Sequence, residues 1–238
     1  MENPFWAEAL PVIADVFVFV YPVYLVVLYV YGMYTSRKPK ATGWKFLDLL
    51  SSLLPGLLRQ PLASSPQGHF LADAHSAQWR TLKESALWIF VAGIGSAVFN
   101  IFVQLFLTKD RPDIVMDLLY SKREDLVLYD YLPSASFPSD HATMSMAIAV
   151  ATLLWGLRYK KKWYVYFSLF LFAISLIMGW ARVSIGIHWP TDVIGGYVVG
   201  IMIPILLWLP RVYRLLKQWV LDRLIGLEEW IVKKVFWL

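Results

Sequence analysis

Arg182-Val183-Ser184-Ile185-Gly186-Ile187-His188-Trp189-Pro190-Thr191-Asp192 joins one long apolar run, Trp163–Trp180, to another, Thr191–Leu209. Each run is close to the roughly 20 residues that cross a bilayer as a helix. Lipid offers unpaired backbone groups no partners, so a short polar link between two such runs predicts a hairpin of membrane helices. Three more runs have the same character: Leu10–Met33, Ser85–Leu107 and Ala142–Leu157. The last is short and is expected to borrow its first turn from Pro138-Ser139-Asp140-His141. The expected fold is all-α and integral to the membrane, a bundle of about five to six transmembrane helices with interfacial helices.

Composition agrees. The 238 residues are 58% hydrophobic and only 16% charged, and 12 Trp, 13 Tyr and 14 Phe supply rings for the membrane–water boundary. The absence of cysteine excludes disulfides, thiolate metal sites and a thiol nucleophile. A formal charge of +5 would suit nucleic acid, but the basic residues flank apolar runs and form no separate basic domain. No nucleic-acid partner is expected, and the bilayer is. The start, Met1-Glu2-Asn3-Pro4-Phe5-Trp6-Ala7-Glu8, lacks a basic leader segment, so a retained first span is expected.

Three regions are expected. Residues 1–83 hold the first span and a cytoplasmic or interfacial segment, 84–209 form a catalytic core, and 210–238 form an amphipathic helix. Within the first, Trp44–Leu58 is apolar but short and contains Asp48 and Pro55, which fits an interfacial or re-entrant helix; Gln60–Gly68 reads as loop. In the third, Arg211, Arg214, Lys217 and Arg223 alternate with Leu215, Leu216, Trp219 and Val220, a pattern for a helix lying on a membrane surface. With five spans, residues 34–83, 157–162 and 211–238 share one side and carry 7, 4 and 6 basic residues; residues 1–9, 109–140 and 182–190 carry 0, 4 and 1. Lys and Arg favour the cytoplasm. The C-terminus is therefore expected in the cytoplasm of a multi-pass plasma-membrane protein, with Arg111, His141, Arg182 and His188 on the extracytoplasmic face.

Those four residues, two of them among only four histidines, fit attack on a phosphate. Arg111 and Arg182 are donor forks matched to phosphate oxygens, although an arginine beside a span also anchors headgroups. Ser139 as an N-cap and Pro190 in a first turn would leave two helix N-termini facing an anion. His188 and Asp192 are four apart across a helix start, close enough for the carboxylate to hold one ring N–H and leave the other nitrogen as a nucleophile. The bland alternative makes Asp192 a helix-start carboxylate and His188 an interfacial residue. His141 could protonate a leaving oxygen and then activate water, or simply cap its helix.

Together, Arg111-Pro112, Pro138-Ser139-Asp140-His141 and Arg182-x5-His188-x3-Asp192 resemble the signature of the type-2 phosphatidic acid phosphatase superfamily: Lys-x6-Arg-Pro, Pro-Ser-x-His and Ser-Arg-x5-His-x3-Asp. The resemblance covers roughly residues 84–209. It implies a phosphatase in which His188 becomes phosphorylated, Asp192 orients it and His141 protonates the leaving group. Arg111, Ser139 and Arg182 would hold the phosphate, with no metal or cofactor. The run Ser136-Phe137-Pro138-Ser139-Asp140-His141-Ala142 resembles the undecaprenyl-pyrophosphate phosphatase branch, so an isoprenyl diphosphate is the first expected substrate. Phosphatidylglycerophosphate, phosphatidate and lipid A phosphates come next. Transfer to a lipid acceptor, or a transporter that merely binds lipid phosphates, are the rival activities. Oligomeric state is left open.

Three positions depart from the pattern. Gln104 stands where the family has lysine, and Lys109 is expected to supply that charge to the substrate from another angle. Ala181 replaces a serine. Asp140 replaces a glycine and is expected to sit beside the anion site. Elsewhere, Asp15 inside the first run is read as a structural hydrogen-bonding group. His69 and His75 are too weakly spaced for a metal, and Asp110, Asp113 and Asp117 read as solvated loop carboxylates in preference to a divalent-ion site. Trp219, Trp230 and Trp237 are read as membrane anchors.

Overall fold

A computed structural model describes residues 9, 10, 13, 19–36, 68–112, 115 and 135–236, and every regular element among them is a helix. In chain order these are α1 (Val20–Ser36), α2 (Gly68–Phe106), α3 (Asp140–Arg158), α4 (Lys162–Ser184), α5 (Pro190–Trp208), α6 (Pro210–Leu216) and α7 (Asp222–Phe236), with a π-helical turn, Lys217–Leu221, joining the last two. The segment 44–58, Asp15, Asp113, Asp117 and Trp237 lie outside the described residues.

Helix α3 is the axis of the bundle, with α2, α4 and α5 packed around it. Small residues such as Ala142, Thr143, Ala147 and Ala151 line its buried surface and let neighbouring backbones come close. The closest approach is to α5: a Cβ at Gly196 would lie 2.7 Å from the Ser139 carbonyl oxygen, and one at Gly200 2.5 Å from that of Thr143. Only glycine fits at either position.

Among the described residues, three helical segments are long and apolar enough to cross a membrane: Arg80–Phe106, Lys162–Ser184 and Pro190–Trp208. Phe102 and Leu105 of α2, Leu169 and Leu176 of α4, and Ile194 and Val198 of α5 face outward from the bundle. Within the described residues α1 adds a shorter apolar stretch, Val20–Tyr31. Helix α3 has the length to cross, about 28 Å at 1.5 Å per residue, but not the hydropathy. Its position explains this, since a helix enclosed by other helices needs no lipid-facing apolar surface. The protein is an all-α membrane bundle.

The start of α2 differs from the sequence reading. The helix begins at Gly68, not near Ser85, so residues 68–84, including His69 and His75, are helical and not loop. The C-terminal region explains how charged residues lengthen it. Lys83, itself buried, pairs with Glu228, Lys217 Nζ lies 2.5 Å from Glu84 Oε1, and the Tyr213 hydroxyl donates to the same Glu84 oxygen at 2.8 Å. Helices α6 and α7 with the turn between them bury Tyr213, Leu221 and Ile225 inward and leave Leu215, Trp219, Leu224 and Trp230 outward, the two-faced character expected of the tail. Arg158 at the end of α3 stacks on Trp208 and Tyr213 at this same end of the bundle. The residues of the signature gather at the other end.

Candidate active site

Three separate stretches are tied together at that end. The Ser136 amide donates to the Lys109 carbonyl at 2.7 Å, and the Ser139 amide to the Asp192 carbonyl at 3.0 Å. The Trp189 indole N–H donates to the Asp110 carbonyl at 3.0 Å. The loop after α2, the turn before α3 and the α4–α5 link are thus fixed to one another through backbone groups. Arg111, Ser139, Arg182 and His188 are all buried there.

His188 is held differently from the expectation. Its Nδ1 lies 2.9 Å from the Ser136 carbonyl oxygen and 3.8 Å from the nearest oxygen of Asp192, too far for a hydrogen bond. A carbonyl oxygen only accepts, so Nδ1 carries the hydrogen and Nε2 keeps its lone pair. Asp192 acts one step removed. It is fully buried; Oδ2 accepts from the Ser136 hydroxyl and from the Trp189 amide at 2.9 Å, and Oδ1 lies 2.6 Å from Lys109 Nζ. The carboxylate therefore fixes Ser136, which in turn fixes the imidazole. Burial lowers the pKa of His188 below its ordinary 6.5, and the positive charges of Arg111 and Arg182 lower it further against the opposing pull of Asp192.

Lys109 also departs from expectation. Its ammonium is bonded to Asp192 and, at 2.7 Å, to the Thr191 hydroxyl, and it lies over the Trp189 ring. It neutralises the buried carboxylate. Fixed positive charge at the site comes from Arg111 and Arg182. A terminal nitrogen of the Arg182 guanidinium meets the imidazole of His141, and an Arg111 nitrogen lies 3.4 Å from the Ile187 carbonyl.

Ser139 occupies the N-cap position of α3, but its hydroxyl makes no capping bond and no other hydrogen bond among the described residues, although it is buried. A buried hydroxyl without a partner is costly and fits a group kept ready for a ligand. Asp140 does not face the anion site as expected. Its Oδ1 accepts from Asn100 Nδ2 at 2.6 Å and Gln104 Nε2 at 3.1 Å, on the α2 side. The same two amides donate to the Pro138 carbonyl at 3.1 and 2.9 Å.

Sequence reasoning therefore missed Ser136, Asn100 and Gln104 as participants. Gln104 carried a signal as a departure from the family pattern, and Asn100 lies four residues earlier on the same helical face. Ser136 carried only its place at the head of the Ser136–Ala142 run, because its bond to His188 is made by a main-chain carbonyl. The assembled groups are a neutral imidazole with an open nitrogen, a second imidazole on a guanidinium, two buried arginines and a free hydroxyl at a helix N-terminus. Such a set can bind a phosphate dianion and attack its phosphorus.

Comparison with known proteins agrees in kind. The sequence profile of the PAP2 superfamily matches residues 85–215. Undecaprenyl-diphosphatase BcrC of Bacillus subtilis is 31% identical over 153 residues, covering 64% of this chain and 70% of that protein. Putative undecaprenyl-diphosphatase YbjG of Escherichia coli is 34% identical over 77 residues, 31% of this chain and 35% of its own length. No solved structure matches significantly.

Proposed function

This chain belongs to the PAP2 superfamily and is a phosphatase acting on lipid phosphates, and we propose that it hydrolyses undecaprenyl diphosphate through a phosphohistidine on His188. The single observation that carries the mechanism is the pinned tautomer: with Nδ1–H given to the Ser136 carbonyl, Nε2 is the nucleophile. Nε2 attacks the terminal phosphorus as the bridging P–O bond breaks. His141 donates its proton to the departing oxygen, leaving undecaprenyl phosphate. The same ring then takes a proton from water, whose oxygen attacks the phosphorus, breaks the P–N bond and releases inorganic phosphate. Arg111, Arg182 and the Ser139 hydroxyl hold the non-bridging oxygens throughout. Asp192 positions His188 through Ser136, and Lys109 keeps Asp192 ionised. The substrate is favoured by the activity for which both relatives are named and by the Pro138-Ser139-Asp140-His141 block.

The head would enter from the extracytoplasmic side while the isoprenyl tail stays among the outward apolar side chains. The alternation of α2 to α5 supports this sidedness. It sets the site at one end and the basic ends of α2 and α3 with the C-terminal helices at the other, the cytoplasmic end by their Lys and Arg content.

The test is a panel of lipid phosphates given to purified protein with EDTA, scored for free phosphate. Undecaprenyl diphosphate is expected to be turned over fastest, with EDTA making no difference. Faster release from phosphatidate or phosphatidylglycerophosphate would displace the substrate assignment, and loss of release with EDTA would displace the mechanism.

A second expectation concerns pH. A histidine with a lowered pKa stays neutral to lower pH, and a nucleophile must be neutral. Protonation of His188 should cost activity only as pH drops through the lowered value, while loss of the proton from the His141 acid sets the opposite limb. The acid limb of kcat/KM should therefore lie below 6.5, and Arg111→Gln should move it upward. A limb above 6.5 in the unaltered protein contradicts the assignment of His188.

A further inference from the structure

Asn100 and Gln104 stand one helical turn apart on α2, and each side-chain amide has two hydrogens to give. All four reach two oxygen atoms: one pair meets the Pro138 carbonyl, the other Asp140 Oδ1. The Pro138 carbonyl only accepts, so Asn100 Nδ2 must face it and the orientation of that amide is determined, with its oxygen 2.9 Å from the Thr143 hydroxyl. Asp140 lies between Ser139 and His141, both at the site. A carboxylate released there would face an incoming phosphate with like charge, and such repulsion grows where water is scarce.

We infer that Gln104 is a positioning residue that restrains the Asp140 carboxylate on the α2 side, so that positions 104 and 140 form a coupled pair governing phosphate affinity. The inference rests on the lipid-phosphate reading above. It also accounts for two departures from the family pattern occurring together. A lysine at position 104 would have its charge taken up by Asp140, whereas a glutamine supplies donors without charge. Only the donor half of Gln104 is used, since its Oε1 makes no hydrogen bond among the described residues.

The experiment is a double-substitution cycle on the full chain: unaltered protein, Gln104→Glu, Asp140→Asn and the two combined. Affinity for inorganic phosphate is measured by calorimetry, and kcat and KM on undecaprenyl diphosphate. Glutamate has the size of glutamine but cannot donate when ionised, and it repels Asp140. Gln104→Glu should weaken phosphate binding about tenfold and raise KM alike, with a smaller change in kcat. Adding Asp140→Asn should restore affinity to within about threefold of Asp140→Asn alone. An undiminished affinity in Gln104→Glu, or a defect that Asp140→Asn leaves in place, overturns the inference, because a packing role gives no such rescue.

Should Gln104→Glu fail to fold, Gln104→Met decides the question. It removes the donors without adding charge, and its weakening of about threefold should vanish with Asp140→Asn and overturns the pair if it does not. An unaltered protein that binds phosphate but releases none from lipids counts against the proposed activity alone, since the affinities still decide the pair. One that binds no phosphate overturns both.

Discussion

His188→Ala abolishes phosphate release, lowering turnover by on the order of 10⁵-fold or more, the scale on which removing a covalent nucleophile acts. That factor corresponds to about 7 kcal/mol of barrier. The neighbouring groups are poorly placed to take over the attack, since the Ser139 hydroxyl has no base bonded to it. His141 is engaged with the guanidinium of Arg182, and the Ser136 hydroxyl is committed to Asp192. The fold should survive, because the three stretches of the site are joined by main-chain bonds that do not involve the imidazole. The check is phosphate release beside a thermal unfolding scan, with labelled substrate used to trap an acid-labile, alkali-stable phosphoenzyme in the unaltered protein only. Residual activity above about one per cent of the unaltered protein would remove His188 from the nucleophile's role.

Arg182→Ala carries the next largest effect, about 10³-fold in kcat/KM, or roughly 4 kcal/mol. Two losses combine. In the proposed mechanism the guanidinium is a fixed charge for the phosphate oxygens as they gain charge in the transition state, and it is the contact that places the His141 ring. Lysine keeps the charge but not the planar fork, so Arg182→Lys should recover only part of the loss. Equal activity in Arg182→Lys and the unaltered protein would reduce the role to charge alone. Equal activity in Arg182→Ala would end it.

Much of the bundle could be read from the chain, and the exceptions have physical causes. Trp163–Trp180 and Thr191–Leu209 fall within or beside α4 and α5 because lipid-facing helices need continuous apolar residues. Helix α3 was harder to delimit, because its neighbours shield it and its sequence is Ala, Ser and Thr as much as Leu. The start of α2 was invisible locally: Lys83 and Glu84 look like a boundary until Glu228, Lys217 and Tyr213 arrive from well over a hundred residues away to satisfy them. At the site, the signature residues were legible and the structure brings His141, His188, Arg111, Arg182 and Ser139 to one end. Their wiring was not. The four-residue spacing of His188 and Asp192 implies a helical neighbour relation, yet His188 precedes the helix and its ring turns to a carbonyl fifty-two positions away. Lys109 and Asp140 were expected to face substrate by their place in the sequence, and each instead has an internal partner of opposite or complementary character.

The contact between α3 and α5 also limits how this enzyme can diverge over generations. At Gly196 and Gly200 even one added methyl would run into the main chain of the neighbouring helix, at Ser139 in the turn before it and at Thr143 one turn further on. Descendants that acquire a taste for another lipid must therefore keep that pair of helices as inherited. Novelty can accumulate only on the outward flanks, where residues such as Ile194 and Leu169 are free to drift.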